Sequence, residues 1–520
     1  MESGGSTTTT PAARWLLGAV LLATAWVQSG VLNGGFFGDD FLWFYRLQFL
    51  PWFEFVGMTH GGHLLVTRNL VYWLCYQLFG LEPTGYFYVA LITHLLNVAL
   101  LFAVTLRLSK RPLCAALAAA VWGLAPIHQG SLRWVSVYGH VMAGTLVLLV
   151  LADLSRLAGG DRAPTSWQLG RWTLLLLGAA TSFGTGLGVA LAFPAIAWLL
   201  LTPASGRDRG ALVLAAGTAA IAALFLAQHE GVPLGSLRDY PFAVCMALWA
   251  SLMSYGLGSL TFGPLFTFNQ RLIPVGPLRG LAQDHALPAI LGIGLTLVIV
   301  LSLAFARADP ARRRLMAAFA LLAACAYGAI ALGRAPFMVI LNFDMPFMTT
   351  TTRYHYLAQL GFALLLGLAA AEIANVGLLR RFPAWLGPVF FGLGLALALP
   401  GYTSSARTQD PFLDRRWLND VDQAMIDLLQ RVRAAPPGSR VYASNRRFSG
   451  VRLLPREDFP DWAAVFVMTH REDTLEGRHV YFVETDEQLV QTLRKGSNAR
   501  IARLLVTPDE ALRRVTPALP

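Results

Sequence analysis

The sequence predicts a mainly α-helical polytopic membrane protein that ends in a small α/β domain. Three observations carry this. Of 520 residues 55% are hydrophobic and 14% charged, with a mean hydropathy of +0.52, whereas soluble proteins carry about 25% charged residues. Apolar windows of about 20 residues, the length a helix needs to cross a bilayer, recur as far as residue 400. Beyond that point short alternating runs replace them. The net charge of +11 requires no nucleic acid as partner, because short cytoplasmic loops collect arginine. Cys75, Cys114, Cys245 and Cys325 stand singly in apolar surroundings, without disulfide or zinc spacing.

Residues 1–13, with "SGGSTTTTPAA", read as a disordered cytoplasmic tail. The transmembrane domain follows over 14–402. Its spans are expected near 15–32, 86–106, 113–127, 141–157, 172–201, 211–228, 242–266, 286–306, 315–333, 354–374 and 384–400. The first is an uncleaved anchor, since no small-x-small cleavage site follows it. The basic stretches "RLSKRP" (107–112), "RADPARRR" (307–314) and "LLRRF" (378–382) belong in the cytoplasm. That orientation turns the first outer loop (33–64), the loops near 128–138 and 334–353, and everything after 400 outward. Span 172–201 contains "TSFGTGLG", whose glycines suit two half-helices better than one rod. Whether 172–201 and 242–266 each cross sets the total at about 10–13 spans. From 403 to 520, "RVYAS", "AAVFVM", "HVYFVE" and "ARLLV" alternate with turn residues and the helix-like "DEQLVQTLRKG". This extracytoplasmic α/β domain is expected to help bind or admit an acceptor.

The outer loops carry the chemistry. "GGFFGDDFLWF" (34–44) sets Asp39 and Asp40 among aromatic residues at the membrane boundary, where an apolar setting raises a carboxylate's pKa and suits a general base. "THGGHLLVTRNLVYWL" (59–74) adds His60 and His63, candidate ligands for an acceptor or for a metal held with Asp39 or Asp40. It leads into an interfacial amphipathic helix with Arg68 reaching from its wet face. "APIHQGSLRWVSVYGH" (125–140) brings His128, Arg133 and His140 to the same side. Arg353, backed by Tyr354, His355 and Tyr356, can hold a phosphate bidentately at the lipid boundary, with Arg334 as a second clamp. His94 and Asn97 share a helical face and read as interhelical hydrogen-bond partners.

Taken together, "GDDF" after the first span, "FGLEPTGYFYVALITHLLNVALLF" (79–102), "LAPIHQGSLRWVSVYGHVMAG" (124–144) and "TTRYHYLAQLGFALLLG" (351–367) resemble a family. Over residues 10–400 the chain is similar to the GT-C class of polytopic glycosyltransferases. The closest pattern is that of bacterial relatives of protein O-mannosyltransferases and of the tetratricopeptide-bearing O-mannosyltransferases. The resemblance implies transfer of a sugar from a polyprenyl-phosphate carrier to an acceptor on a protein, lipid or glycan, at the outer face of the membrane. It maps an essential acidic pair onto Asp39 and Asp40, and an "RY-Y" segment onto Arg353, Tyr354 and Tyr356. In that reading Asp39 is the base, Asp40 orients the acceptor or a metal, and Arg353 holds the phosphate. Some members of the class use a divalent cation such as magnesium or manganese and others use none, so metal dependence stays open. The chain departs from the family pattern at "YGH" (138–140), where relatives carry a pair such as Arg-Asp, and at "SFG" (182–184), where they carry Lys-Glu. Arginine-rich composition and a lack of sorting motifs point to a bacterial inner membrane. The competing class is a secondary transporter or lipid flippase, which would show related halves and polar groups at mid-membrane.

Overall fold

The computed structural model describes residues 11–408 except 37–39, 41–42, 45, 48–49, 61, 159, 204–205, 229–239, 273–285, 342 and 375–385, together with 434, 436, 440–444 and 479–483. In chain order come α1 (Pro11–Gln28), α2 (Trp52–Gly57), the hairpin β1–β2 (Thr59–His60, His63–Leu64), α3 (Val66–Phe79), α4 (Pro83–Ser109) and α5 (Pro112–Gly123). Then follow α6 (Gln129–Leu132), α7 (Gly139–Leu157), α8 (Ser166–Ala180), α9 (Gly184–Leu200), α10 (Arg207–Gln228), α11 (Phe242–Leu272) and α12 (Ala286–Arg307). The remaining helices are α13 (Pro310–Leu341), α14 (Met345–Thr350), α15 (Tyr356–Ile373) and α16 (Leu386–Thr408).

Among the described residues nine helices are long and apolar enough to cross a membrane, or ten if the pair 112–123 and 126–132, bent by 48°, is one span. The protein is therefore an integral membrane protein. Local chemistry sets the helix ends. Pro83 and Pro112 occupy first turns, where no N–H is needed. Thr165 and Gln168 close a reciprocal capping box on α8.

The stretch expected at 172–201 divides at 181–183 into α8 and α9, which pack side by side. Their far ends also meet, since the Thr202 hydroxyl donates to the Gly160 carbonyl at 3.0 Å. The two helices thus form a hairpin, and its turn, "TSFG", meets the start of α3, where Thr67 N–H donates to Thr181 O at 3.1 Å. By contrast α11 is one continuous helix. Pro336, inside α13, has no N–H for the carbonyl of Leu332 four residues back. The Tyr240 hydroxyl takes that place, donating to Leu332 O at 2.6 Å.

The helices α7 and α15 are the most buried spans, and α12 and α16 expose most of their apolar surface, as helices facing lipid do. The arginine-bearing ends are tied by ion pairs. Asp153 meets Arg156 at 3.0 Å and also Arg171, and Arg312 meets Glu372 at 3.1 Å. Of the expected C-terminal domain, strands β3 (Arg440–Ser444) and β4 (His479–Val483) are described and pair in parallel, Arg440 opposite His479. The helix α16 runs continuously past the expected boundary at 402–403.

Candidate functional site

The segment Trp134–His140 joins the parts of the site. It passes through a 3₁₀ turn, Val135–Val137, so its side chains leave in different directions. Trp134 faces the Arg353 guanidinium, 5.0 Å from its ring centre. Ser136 donates twice to one carboxylate oxygen of Asp40, from its N–H at 2.6 Å and its hydroxyl at 2.5 Å. The Tyr138 hydroxyl meets that of Thr93 at 2.9 Å, and His140 Nδ1 meets the Thr185 hydroxyl at 3.1 Å. Gly139 permits this course, because a Cβ there would fall 2.1 Å from the Ser182 carbonyl oxygen.

Asp40 is fully buried. Burying a carboxylate is costly unless it is paired and hydrogen-bonded, and Ser136 supplies two charge-assisted bonds. Arg68 approaches the same serine, its Nη1 donating to Ser136 O at 3.2 Å. Its guanidinium stacks 3.8 Å from the Trp43 ring centre. Arg68 is therefore not on the wet face of its helix. It is 1% exposed, because Trp43 and Ser136 close over that side of α3. One turn on, Tyr72 donates to the Asp40 backbone carbonyl at 3.1 Å. Burial first, and the Asp40 charge second, hold the Tyr72 phenol well above its ordinary range. Asp39 lies outside the described residues.

Beside this cluster a cavity of about 780 Å³ opens between α9, α11 and α13. Its wall is mostly apolar, with Leu187, Leu191, Trp249 and Phe337 among its residues, and its polar groups include His63, His140, Arg334 and Tyr354. Phe183 lies against both histidines, its ring centre 4.6 Å from His63 and 4.0 Å from His140. The Arg334 guanidinium sits 5.6 Å from the Tyr354 ring centre. His60, opposite His63 in the hairpin, packs instead on Trp43 at 5.1 Å.

Arg353 is not on that wall but adjoins it, its guanidinium 5.1 Å from the Tyr354 ring centre. Its backbone is fixed from behind. Gly130 lies so close that a Cβ would come 1.9 Å from Thr352 Oγ1 and 3.0 Å from Arg353 N. The Ser131 hydroxyl donates to Arg353 O at 3.3 Å. Arg133 is half-buried at the end of α6, its N–H donating to Gln129 O at 2.9 Å.

His128 faces inward, fully buried, with Nε2 3.1 Å from Gln359 Oε1. Gln359 donates onward to Gly256 O at 2.8 Å and to the Ser259 hydroxyl at 3.1 Å. Next to it Asn97 donates to the Tyr356 hydroxyl at 3.2 Å. That hydroxyl sits 2.8 Å from His94 Nδ1, and His94 Nε2 is 3.0 Å from Gly123 O. Since Gly123 O only accepts, the His94 proton is on Nε2 and Tyr356 donates to Nδ1. His355 follows the same logic, with Nε2 2.9 Å from Thr349 O and Nδ1 2.8 Å from the Tyr327 hydroxyl. Burial pushes His355 down to about 4, against the opposing effect of the Thr349 bond.

Among the described residues no three His, Cys, Asp or Glu side chains are placed to share a metal ion. His60 and His63 pack on different aromatic residues, and Asp40 is engaged by Ser136.

The structure thus brings His63, His140, Arg334 and Tyr354 to one cavity, sets Arg353 beside it, and holds Asp40 behind the 134–137 turn. Sequence reasoning missed Ser136, Arg68 and Phe183. An unremarkable serine in a 3₁₀ turn gives no local signal, and an arginine on an amphipathic helix reads as solvated by default.

No family model matches the sequence, and no curated protein matches it. Solved structures resemble it, and two serve as examples. The first is the archaeal oligosaccharyltransferase AglB from Archaeoglobus fulgidus, in complex with an inhibitory peptide and a dolichol-phosphate. It is 15% identical with a TM-score of 0.38, over 78% of this chain and 56% of that one. This chain therefore spans little more than half of that protein's length. The second is ArnT from Cupriavidus metallidurans bound to undecaprenyl phosphate, also 15% identical with a TM-score of 0.38, over 98% of this chain and 95% of that one.

Proposed function

We propose that the chain is a GT-C-type membrane glycosyltransferase. It moves a sugar from a polyprenyl-phosphate-linked donor to an acceptor hydroxyl on a protein, lipid or glycan at the extracytoplasmic face. The observation that carries this is the cavity, apolar along its wall and cationic at Arg334, with Arg353 adjoining it and Asp40 bonded to the segment that leads to His140. An isoprenoid tail needs the first property and a phosphate needs the second.

In the proposed reaction Asp39 takes the proton of the acceptor hydroxyl. The acceptor oxygen bonds to the anomeric carbon as that carbon's bond to the donor phosphate breaks, with inversion. Arg334 and Arg353 stabilise the negative charge that appears on the leaving phosphate. The Tyr354 ring packs near both guanidiniums and helps orient them. Asp40 serves differently from its neighbour, since through Ser136 it fixes the segment that carries Trp134 and His140.

The test is transfer of radiolabelled sugar from a panel of polyprenyl-phosphate sugars in membranes. Wild-type transfer that falls about 10²–10⁴-fold in Asp39→Asn is the expected result for loss of a positioned base. Transfer undiminished in Asp39→Asn refutes the base assignment, and absence of wild-type transfer from every polyprenyl-phosphate donor refutes the function.

A further inference from the structure

His140 is the residue of the cavity whose chemistry is left open. It is 1% exposed and lines the cavity wall. Two contacts fix its ring, the Phe183 face at 4.0 Å and the Thr185 hydroxyl on Nδ1 at 3.1 Å. The other nitrogen, Nε2, is buried and has no hydrogen-bond partner among the described residues. A buried polar atom without a partner costs about 1–3 kcal/mol, so a ring held this firmly, with one nitrogen unmet by the described residues, is suited to meet a ligand. His63, then the Arg353 and Arg334 guanidiniums, are near enough to His140 to act on it electrostatically. Among the described residues that line the cavity there is no carboxylate. Arg334 on the wall and Arg353 beside it make an anion the fitting partner, and the apolar wall suits one borne on a lipid tail.

We infer that His140 Nε2–H is a neutral hydrogen-bond donor to the phosphoryl group of a polyprenyl phosphate, and that Thr185 selects this role by donating to Nδ1. With Thr185 donating, the single ring proton sits on Nε2, turned to the ligand. The inference rests on the donor class proposed above and adds to it a specificity determinant. Arginines attract any anion, whereas a fixed single donor near them requires a phosphoryl oxygen at one place.

The experiment measures binding of a polyprenyl monophosphate, the matching polyprenol and inorganic phosphate to the full chain in nanodiscs, for wild type, His140→Phe and His140→Gln. Phenylalanine keeps the stacking on Phe183 and removes both nitrogens, and glutamine restores an N–H near the Nε2 position. The expected result is a loss of about 10–100-fold for the monophosphate in H140F, as for one hydrogen bond to a charged group. Polyprenol binding stays unchanged and H140Q recovers part of the loss. Monophosphate binding by H140F equal to wild type overturns this inference and leaves the proposed function standing. A wild type that does not prefer the monophosphate to the polyprenol overturns both. Inorganic phosphate competing as strongly as the lipid overturns the lipid-borne assignment. Should H140F not fold, Thr185→Val carries the test. Its expected effect is a loss of about 5-fold for the monophosphate alone, and an unchanged affinity overturns the inference.

Discussion

Removing the Asp40 carboxylate should destabilise the fold far more than removing its partner's hydroxyl. Asp40 is fully buried and accepts two bonds from Ser136 at 2.6 and 2.5 Å. A hydrogen bond to a charged group contributes about 1.5–3 kcal/mol and a neutral one about 0.5–1.5. Ser136→Ala deletes one charged bond and should cost about 2 kcal/mol. Asp40→Asn weakens both without deleting either, which comes to about the same. Asp40→Ala strips the pair and leaves the buried Arg68 guanidinium without that negative charge nearby, a situation that costs about 3–5 kcal/mol. Against a typical total of about 5–15 kcal/mol, that is a large share. The assay is thermal unfolding of the detergent-purified protein by tryptophan fluorescence at one scan rate, ranking midpoints. The expected order is wild type, then S136A and D40N together, then D40A lowest. A D40A midpoint equal to wild type would show that the carboxylate anchors nothing. Asp39→Asn, in contrast, should keep the wild-type midpoint while losing transfer, which separates the two acids.

Other consequences can be measured more briefly. Gly333 lines the cavity and a Cβ there meets nothing within 4 Å, so Gly333→Phe should fold as well as wild type yet raise KM for the donor. An unchanged KM argues against occupancy of this cavity by the lipid. Tyr240→Phe leaves the Leu332 carbonyl unmet and should cost about 1–2 kcal/mol. In a Pro336→Ala background, where the helix supplies its own N–H, the same change should cost almost nothing, and equal costs in both backgrounds would refute the substitution of hydroxyl for N–H. His355 ionises near 4 in the fold and near 6.5 when unfolded. The unfolded state therefore binds more protons between those values, and stability falls on acidification from pH 6.5 to 4 by up to about 3 kcal/mol. The melting midpoint of wild type should drop over that range more steeply than that of His355→Gln, and parallel curves would contradict it. Gly130→Ala should displace Thr352 and Arg353 and weaken polyprenyl monophosphate binding with little effect on polyprenol. Equal losses for both ligands would place the disturbance elsewhere.

Helix content was legible because it rests on composition and periodicity, which act locally. The break at 181–183 was legible too, since "TSFGTGLG" gives one rod too many glycines. What could not be read was which side chains would meet. Ser136 became a partner of Asp40 only because Gly139 let the 134–140 segment press against the α8–α9 turn, a contact between positions more than 40 residues apart. Arg68 looked solvated because the residues that cover it, Trp43 and Ser136, come from elements far off in the chain. His128 and His140 looked equivalent on paper, 12 residues apart on one outer segment. The bend between α5 and α6 sends the first into the bundle, and the start of α7 presents the second to the cavity.

Seven consecutive positions, Trp134 to His140, answer to four separate elements, through Arg353, Asp40, Thr93 and Thr185. One residue inserted within them would throw several of these pairings out of register at once, and no single compensating change could restore them. Evolution can therefore retune this stretch by substitution but hardly by changing its length. Indels in homologous chains should gather instead in connections such as 158–165 and 201–206.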